Sequence, residues 1–258
     1  MTTTSEWSEL IALAQQNAAQ IADAAPARGP HHEARQWLRD CDFLPKYHER
    51  YDPAVRLDDA PSEAALAAWV EDLPRMLTDG GWLFLGGHVG TRKSYALCRI
   101  AHKAMGLQVS RGEGWQPRQL VPGAEVVWYF APSIQSSLLT WDGDCDDAPG
   151  SMYRLLHARL LLLDDVDRFL ELRDNDFALG KLLSKLDTLM EYRDQPRLVT
   201  VVTANRWAQD MREVPEFCRW IDRAGERGAL IDIHGGSVRR IAGRGTQRGA
   251  ELAEQRSA

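Results

Sequence analysis

The chain has 258 residues, 44% of them hydrophobic and 26% charged, with a formal net charge of −6. That is room for one α/β domain of ordinary size plus a smaller appendage, and the acidic balance argues against a basic nucleic-acid coat protein. No apolar run approaches the ~20 residues of a membrane helix, no signal peptide is visible in Met1–Ser5, and the four cysteines, Cys41, Cys98, Cys145 and Cys218, form no C-x-x-C pair, so reduced thiols and a cytoplasmic location are expected.

Glu6 to Ala24 carries Trp7, Leu10, Ile11, Ala14 and Ile21 at helical spacing behind a Ser5 cap, and Pro26-Ala-Arg-Gly-Pro30 breaks it as a linker. A second helical piece, Glu33 to Asp40, leads into Phe43-Leu-Pro-Lys-Tyr47 and an irregular stretch around Pro53. Leu66, Trp69, Val70, Leu73 and Met76 predict one helix, capped by Ser62 and stopped by Gly80-Gly81. An apolar strand then enters a glycine-rich turn, followed by an amphipathic stretch marked by Tyr95, Leu97, Ile100, Ala101 and Met105. Glu125 to Phe130 reads as a strand, Ser133 to Trp141 as a short helix, and Asp142 to Gly150 as an acidic loop. Arg159-Leu-Leu-Leu-Leu-Asp-Asp165 is an apolar run of the kind a strand buried on both faces shows. A long amphipathic helix follows on Phe177, Leu179, Leu182, Leu183, Leu186, Leu189 and Met190, then strands at Leu198–Thr203 and Leu230–Ile233. Strands alternating with helices predict an α/β fold, a parallel sheet with helices on both faces. Arg239, Arg240, Arg244 and Arg248 bunch near the end, and residues 243–258 read as a basic, disordered tail.

The chemistry sits at three predicted strand ends, where parallel sheets place their ligands. At the first, Gly87-His88-Val89-Gly90-Thr91-Arg92-Lys93-Ser94 meets the phosphate-loop template at Gly87, Lys93 and Ser94, with Arg92 in the place of its second glycine. A tight turn of small residues lets backbone N–H groups wrap a phosphate, and the helix after it points its positive end at the same anion. Lys93 would neutralise the outer phosphates, and the Ser94 hydroxyl would hold magnesium. The competing reading is a strand-to-helix turn with an incidental Lys-Ser.

At the second strand end, Asp164 and Asp165 close the leucine run; a carboxylate there is costly without a cation. Asp164 would hold the metal through water, and Asp165 would orient or deprotonate the attacking water. At the third, Asn205 would position that water or touch the γ-phosphate. The alternatives are a helix cap for the acid pair and a turn residue for the amide. Lys93 and Asp164 are expected to converge, from adjacent strand tips, on one magnesium-bound triphosphate.

On these residues the chain resembles the AAA+ ATPases of the bacterial helicase-loader (DnaC-like) and insertion-sequence helper (IstB-like) group, over roughly Phe43 to Arg240. The likeness is carried by the loop, by Trp128-Tyr-Phe-Ala-Pro-Ser-Ile-Gln-Ser-Ser-Leu-Leu139, by Leu160 to Asp165, by Tyr192-Arg193, and by Thr203-Ala204-Asn205. It ends on Arg219-Trp-Ile-Asp-Arg223, Leu230-Ile-Asp-Ile233 and Ser237-Val-Arg239. The resemblance implies a five-stranded P-loop AAA+ sheet over residues 79–242, preceded by a helical, partner-binding segment, 1–78. It implies ATP and Mg2+ as cofactors, and Arg223 as an arginine finger supplied to the neighbouring subunit of a homo-oligomer. For Arg219, finger and scaffold both stay open. Arg239 would act as a second, sensor-like arginine beside the nucleotide.

Arg92 departs from the family pattern. A side chain at positive φ costs ~1–2 kcal/mol, and the guanidinium would add a cation beside the triphosphate, so binding with slow hydrolysis is expected. The leading functional expectation is an ATPase that loads a replicative DNA helicase onto single-stranded DNA. The alternatives are a transposition helper delivering a transposase, and a nucleotide-gated adaptor with little hydrolysis.

Overall fold

The computed structural model describes residues 31–110, 116–144, 148, 150–172, 176–195 and 198–234. The expected helix at Glu6–Ala24, the linker at Pro26–Pro30, Arg239 and the tail 243–258 lie outside the described residues. The chain divides into two units, Met1–His32 and Glu33–Ala258, and the sheet with the helices packed on it belongs to the second.

The elements run α1 (His32–Asp40), α2 (Pro45–His48), α3 (Ala60–Glu71), α4 (Leu73–Asp79), β1 (Gly81–Gly87), α5 (Lys93–Met105), a small hairpin of β2 (Gln108–Val109) and β3 (Arg118–Gln119), β4 (Val126–Phe130), α6 (Ala131–Thr140) and α7 (Gly150–His157). Then come β5 (Leu160–Asp164), a 3-10 helix (Val166–Leu172), α8 (Asp176–Asp194), β6 (Val199–Thr203), α9 (Ala208–Arg212), α10 (Pro215–Arg227) and β7 (Gly228–Ile233). The five long strands form one parallel sheet in the order β4-β5-β6-β1-β7.

Period-two alternation sorts the strand side chains into two cores. Leu83, Leu85, Trp128, Leu160, Leu162, Val199 and Val201 pack with α1, α3, α4 and α5 on one face. Trp82, Phe84, Val127, Tyr129, Leu161, Leu163 and Val202 pack with α6, α7, α8 and α10 on the other. Leucine is an ordinary strand former, yet all four leucines of β5 are fully buried. At ~2 kcal/mol each, that burial outweighs a propensity scale spanning only ~1 kcal/mol.

Three local expectations need correction. The helix predicted through Leu66 to Met76 is two helices, broken at Asp72, because Pro74 lacks an N–H and its ring clashes with the carbonyl of residue 70. Ser62 does not cap it: the helix starts at Ala60, and the Ser62 hydroxyl binds the Asp59 carboxylate and, at 3.1 Å, the Asp232 carbonyl. The helix α7 and the β2–β3 hairpin were not expected; two-residue strands carry no readable period.

Candidate nucleotide site

The site is built where β1, β6 and β5 end. Every residue of β1 is buried, and the strand breaks at Gly87, whose φ is 134°. A Cβ there would lie 2.6 Å from the Ile233 carbonyl oxygen, so neither the conformation nor the space admits a side chain. The loop curls through Thr91, whose hydroxyl donates to the His88 carbonyl at 2.9 Å, and α5 starts at Lys93. Val89 is exposed at the tip, and the His88 ring meets Trp207 edge-on at 5.0 Å.

Lys93 is 5% exposed. Its Nζ donates to the carbonyls of Gly87 at 2.8 Å and His88 at 2.9 Å, and lies 3.4 Å from Thr91 Oγ1. Burial pulls its pKa down, opposed by the nearby Asp165, Asp164 and Asp167. The ammonium is thus folded into its own loop, holding two acceptors that phosphate oxygens could replace.

Asp164, the last residue of β5, has no exposed surface. Its Oδ2 accepts from the Ser94 hydroxyl at 2.8 Å and its Oδ1 from the Thr203 hydroxyl at 2.6 Å. Burial, and then the charge of Asp165, push its pKa up to about 6. Thr203 in turn accepts the Asp165 N–H at 2.9 Å, tying the tips of β5 and β6 together. Asp165 has left-handed backbone, φ 59°, which Asp tolerates better than most residues. Its Oδ1 accepts from the Asn205 amide at 3.0 Å, and burial and Asp167 raise its pKa. Asp167 accepts the Asn205 N–H at 2.9 Å.

The charges of Asp164, Asp165 and Asp167 all act on one buried ammonium. A fully buried carboxylate that accepts from two hydroxyls can take a hard cation, and the donor set (carboxylate and hydroxyl oxygen) suits Mg2+. Ser94 and Asp164 would hold it.

The structure therefore brings together Gly87, His88, Gly90, Thr91, Lys93, Ser94, Asp164, Asp165 and Asn205. The approach of Lys93 and Asp164 is not from adjacent tips: β6 lies between β1 and β5, so Thr203 and Asn205 stand in the middle of the site. Thr203 and Asp167 escaped the sequence reading, because a threonine ending a β-branched strand and an acid in a polar turn look ordinary. Arg92 does take the left-handed conformation, φ 68°. Its guanidinium, however, donates to the Arg56 carbonyl at 2.6 Å and pairs with Asp58 at 3.2 Å. It is committed to residues 56–58, which corrects the expectation of a cation beside the triphosphate.

Arg223 lies at the opposite end of the sheet. Its Nε is 3.8 Å from the Asp194 carboxylate, which also accepts from Trp82 Nε1 at 3.3 Å, near the start of β1. From Trp82 to Gly87 is about 16 Å along the strand, so Arg223 cannot serve its own loop. Arg219 pairs with Asp187 at 2.8 Å.

No protein-family model and no curated protein matches the sequence. Among solved structures, the chain is similar to a DNA replication initiation factor (TM-score 0.50, 16% identity, 72% of this chain and 50% of that one). The fold is that of a P-loop AAA+ domain. Similarity extends, at lower superposition, to DnaI (TM-score 0.47, 18% identity, 76% and 94% of the two chains). It extends likewise to AMPPCP-bound DnaA from Aquifex aeolicus (0.48, 16%, 71% and 51%). The chain spans about half the length of the initiation factor. Among the described residues, no helix is long and apolar enough to cross a membrane.

Proposed function

We propose that the protein is an AAA+ ATPase of replication initiation, acting as a helicase loader: it binds ATP with Mg2+, assembles with copies of itself on single-stranded DNA, and remodels a replicative helicase. One observation carries the catalytic half of this reading, namely that Lys93, Ser94, Asp164, Asp165 and Asn205 meet at three neighbouring strand tips beneath a helix N-terminus. Lys93 would exchange the Gly87 and His88 carbonyls for phosphate oxygens, and the first N–H groups of α5 face the same anion. Bound Mg2+ supplies charge neutralisation of the phosphates and a fixed geometry between them. Asp165 would take the proton of an attacking water, a reading supported by the Asn205 amide that donates to its Oδ1 at 3.0 Å. With its own loop out of reach, Arg223 is assigned to a neighbour's site, where it would stabilise the transferring phosphate. Arg239, outside the described residues, is left as a sensor-like candidate. Residues 1–78 are assigned to the helicase.

The test is calorimetric ATP binding together with turnover, with and without single-stranded DNA, and co-purification with the host or phage replicative helicase. Asp165→Asn should keep binding and abolish turnover. A wild-type protein that ignores ATP overturns the catalytic reading. ATP turnover with capture of a transposase instead of a helicase overturns the loader role alone.

A further inference from the structure

The backbone of Arg92 is left-handed, φ 68° and ψ 21°, at the residue from which α5 starts. The Ala96 N–H donates to the Arg92 carbonyl at 3.0 Å, and Lys93 and Ser94 follow directly. The conformation at residue 92 therefore aims the first turn of the helix and both of those side chains. Asparagine and aspartate can stabilise such a backbone with a short polar side chain bonded locally, but arginine cannot. A side chain in this region persists only where surrounding structure holds it there.

The structure that holds it is the segment before the phosphate loop. The Arg92 guanidinium donates to the Arg56 carbonyl at 2.6 Å and pairs with Asp58 at 3.2 Å. Both acceptors belong to a stretch that is itself anchored. The Leu57 N–H, between them, donates to Glu63 Oε2 at 2.9 Å, and the Leu57 side chain is buried. Glu63 of α3 also accepts from Arg99 Nη1 at 2.7 Å. Arg99 lies about two turns beyond Arg92 on the same face of α5. That face thus grips residues 56–63 twice, directly at the loop and through Glu63 further along the helix. Val55 and Leu57 line one cleft with Tyr95 and Ala96 between the two grips.

We propose that Asp58 is a positioning residue for nucleotide binding, which with the Arg56 carbonyl sets the backbone of the phosphate loop through the Arg92 side chain. The tether does for arginine what the lack of a Cβ does for glycine at this place in the loop template. The inference rests on the nucleotide reading above. It makes the segment that precedes β1 a structural part of the phosphate loop, although it supplies no group to the phosphates.

The experiment measures ATP affinity by calorimetry for Arg92→Ala, Arg92→Gly, Asp58→Ala and the Asp58→Ala/Arg92→Gly double variant. Arg92→Ala loses the tether and keeps the Cβ, so it should bind ATP about tenfold more weakly than wild type. Arg92→Gly loses tether and Cβ together and should recover that tenfold relative to Arg92→Ala. Asp58→Ala, which leaves the Arg56 carbonyl in contact, should weaken binding about fivefold in the wild-type background. In the Arg92→Gly background it should cost nothing, whereas a merely structural role for Asp58 would persist there. An Arg92→Ala protein that binds ATP like wild type or like Arg92→Gly overturns the tether, as does an Asp58→Ala loss undiminished beside Arg92→Gly. Either result leaves the ATPase reading standing. A wild-type protein indifferent to ATP overturns both.

Discussion

Two arginines on packed helices of the same face, Arg193 of α8 and Arg223 of α10, are satisfied to opposite degrees. Arg193 has no exposed surface, and all three guanidinium nitrogens are used. Nε donates to Thr200 Oγ1 at 3.0 Å and Nη2 to the Val199 carbonyl at 2.7 Å. Nη1 meets the carbonyls of Leu155, Leu156 and Ala158 at 2.8, 3.3 and 2.9 Å. It closes the carboxyl end of α7 against the start of β6, where a helix presents unpaired carbonyls and the negative end of its dipole. Burial lowers its pKa to about 9, which leaves it cationic at neutral pH. Arg223, by contrast, has two long ion pairs, 3.9 Å to Glu191 and 3.8 Å to Asp194. Its buried Nη1 has no partner among the described residues. A saturated guanidinium belongs to the frame of the subunit. In Arg223 one donor is left idle among the described residues. Lys93 stands between them, buried and satisfied, but by carbonyls it can exchange.

Mutations should separate these three cations. The largest effect is expected at Arg193: Arg193→Ala leaves carbonyls of α7 and β6 buried without donors and should lower unfolding stability by ~3–5 kcal/mol in urea melts. Arg193→Lys should recover little of it, since a single ammonium cannot span helix end and strand. A loss below about 1 kcal/mol would erase the contrast. Next comes Arg223→Ala, expected to lower turnover by about 10³-fold with ATP binding and melting temperature unchanged. Mixing it with Lys93→Ala should restore activity, because the second variant still offers an arginine to the first one's intact site. No rescue on mixing would return Arg223 to the scaffold. Lys93→Ala removes the ammonium proposed to meet the phosphates and should weaken ATP binding by about 100-fold or more. The smallest change is expected for Arg92→Gly. Relief of a left-handed side chain offsets loss of a half-exposed Asp58 pair, so stability should stay within about 1 kcal/mol. Turnover should rise; a fall would show that the Arg92–Asp58 pair shapes the loop productively.

Much of the framework was readable from residue order. The strands announced themselves as short apolar runs ending in Gly87, Asp164 and Thr203, because a parallel sheet covered on both faces demands side chains that are apolar at every position. The loop residues were readable because backbone must pass where side chains cannot, and Gly87 against the Ile233 carbonyl is that constraint. What stayed hidden depends on neighbours far apart in sequence. That β6 separates β1 from β5, that Thr203 bonds to both aspartates, that Arg92 turns to Asp58, and that Arg193 ends in the interior are consequences of packing.

Sequence alone determined the alternation of elements and the chemical types at the strand tips, since local periodicity and backbone sterics act over a few residues. Tertiary structure alone decided which of those groups share a proton, which cation is saturated and which is left with an idle donor. Hydrogen bonds are settled by ångström distances between segments that the chain brings together only when the sheet is complete.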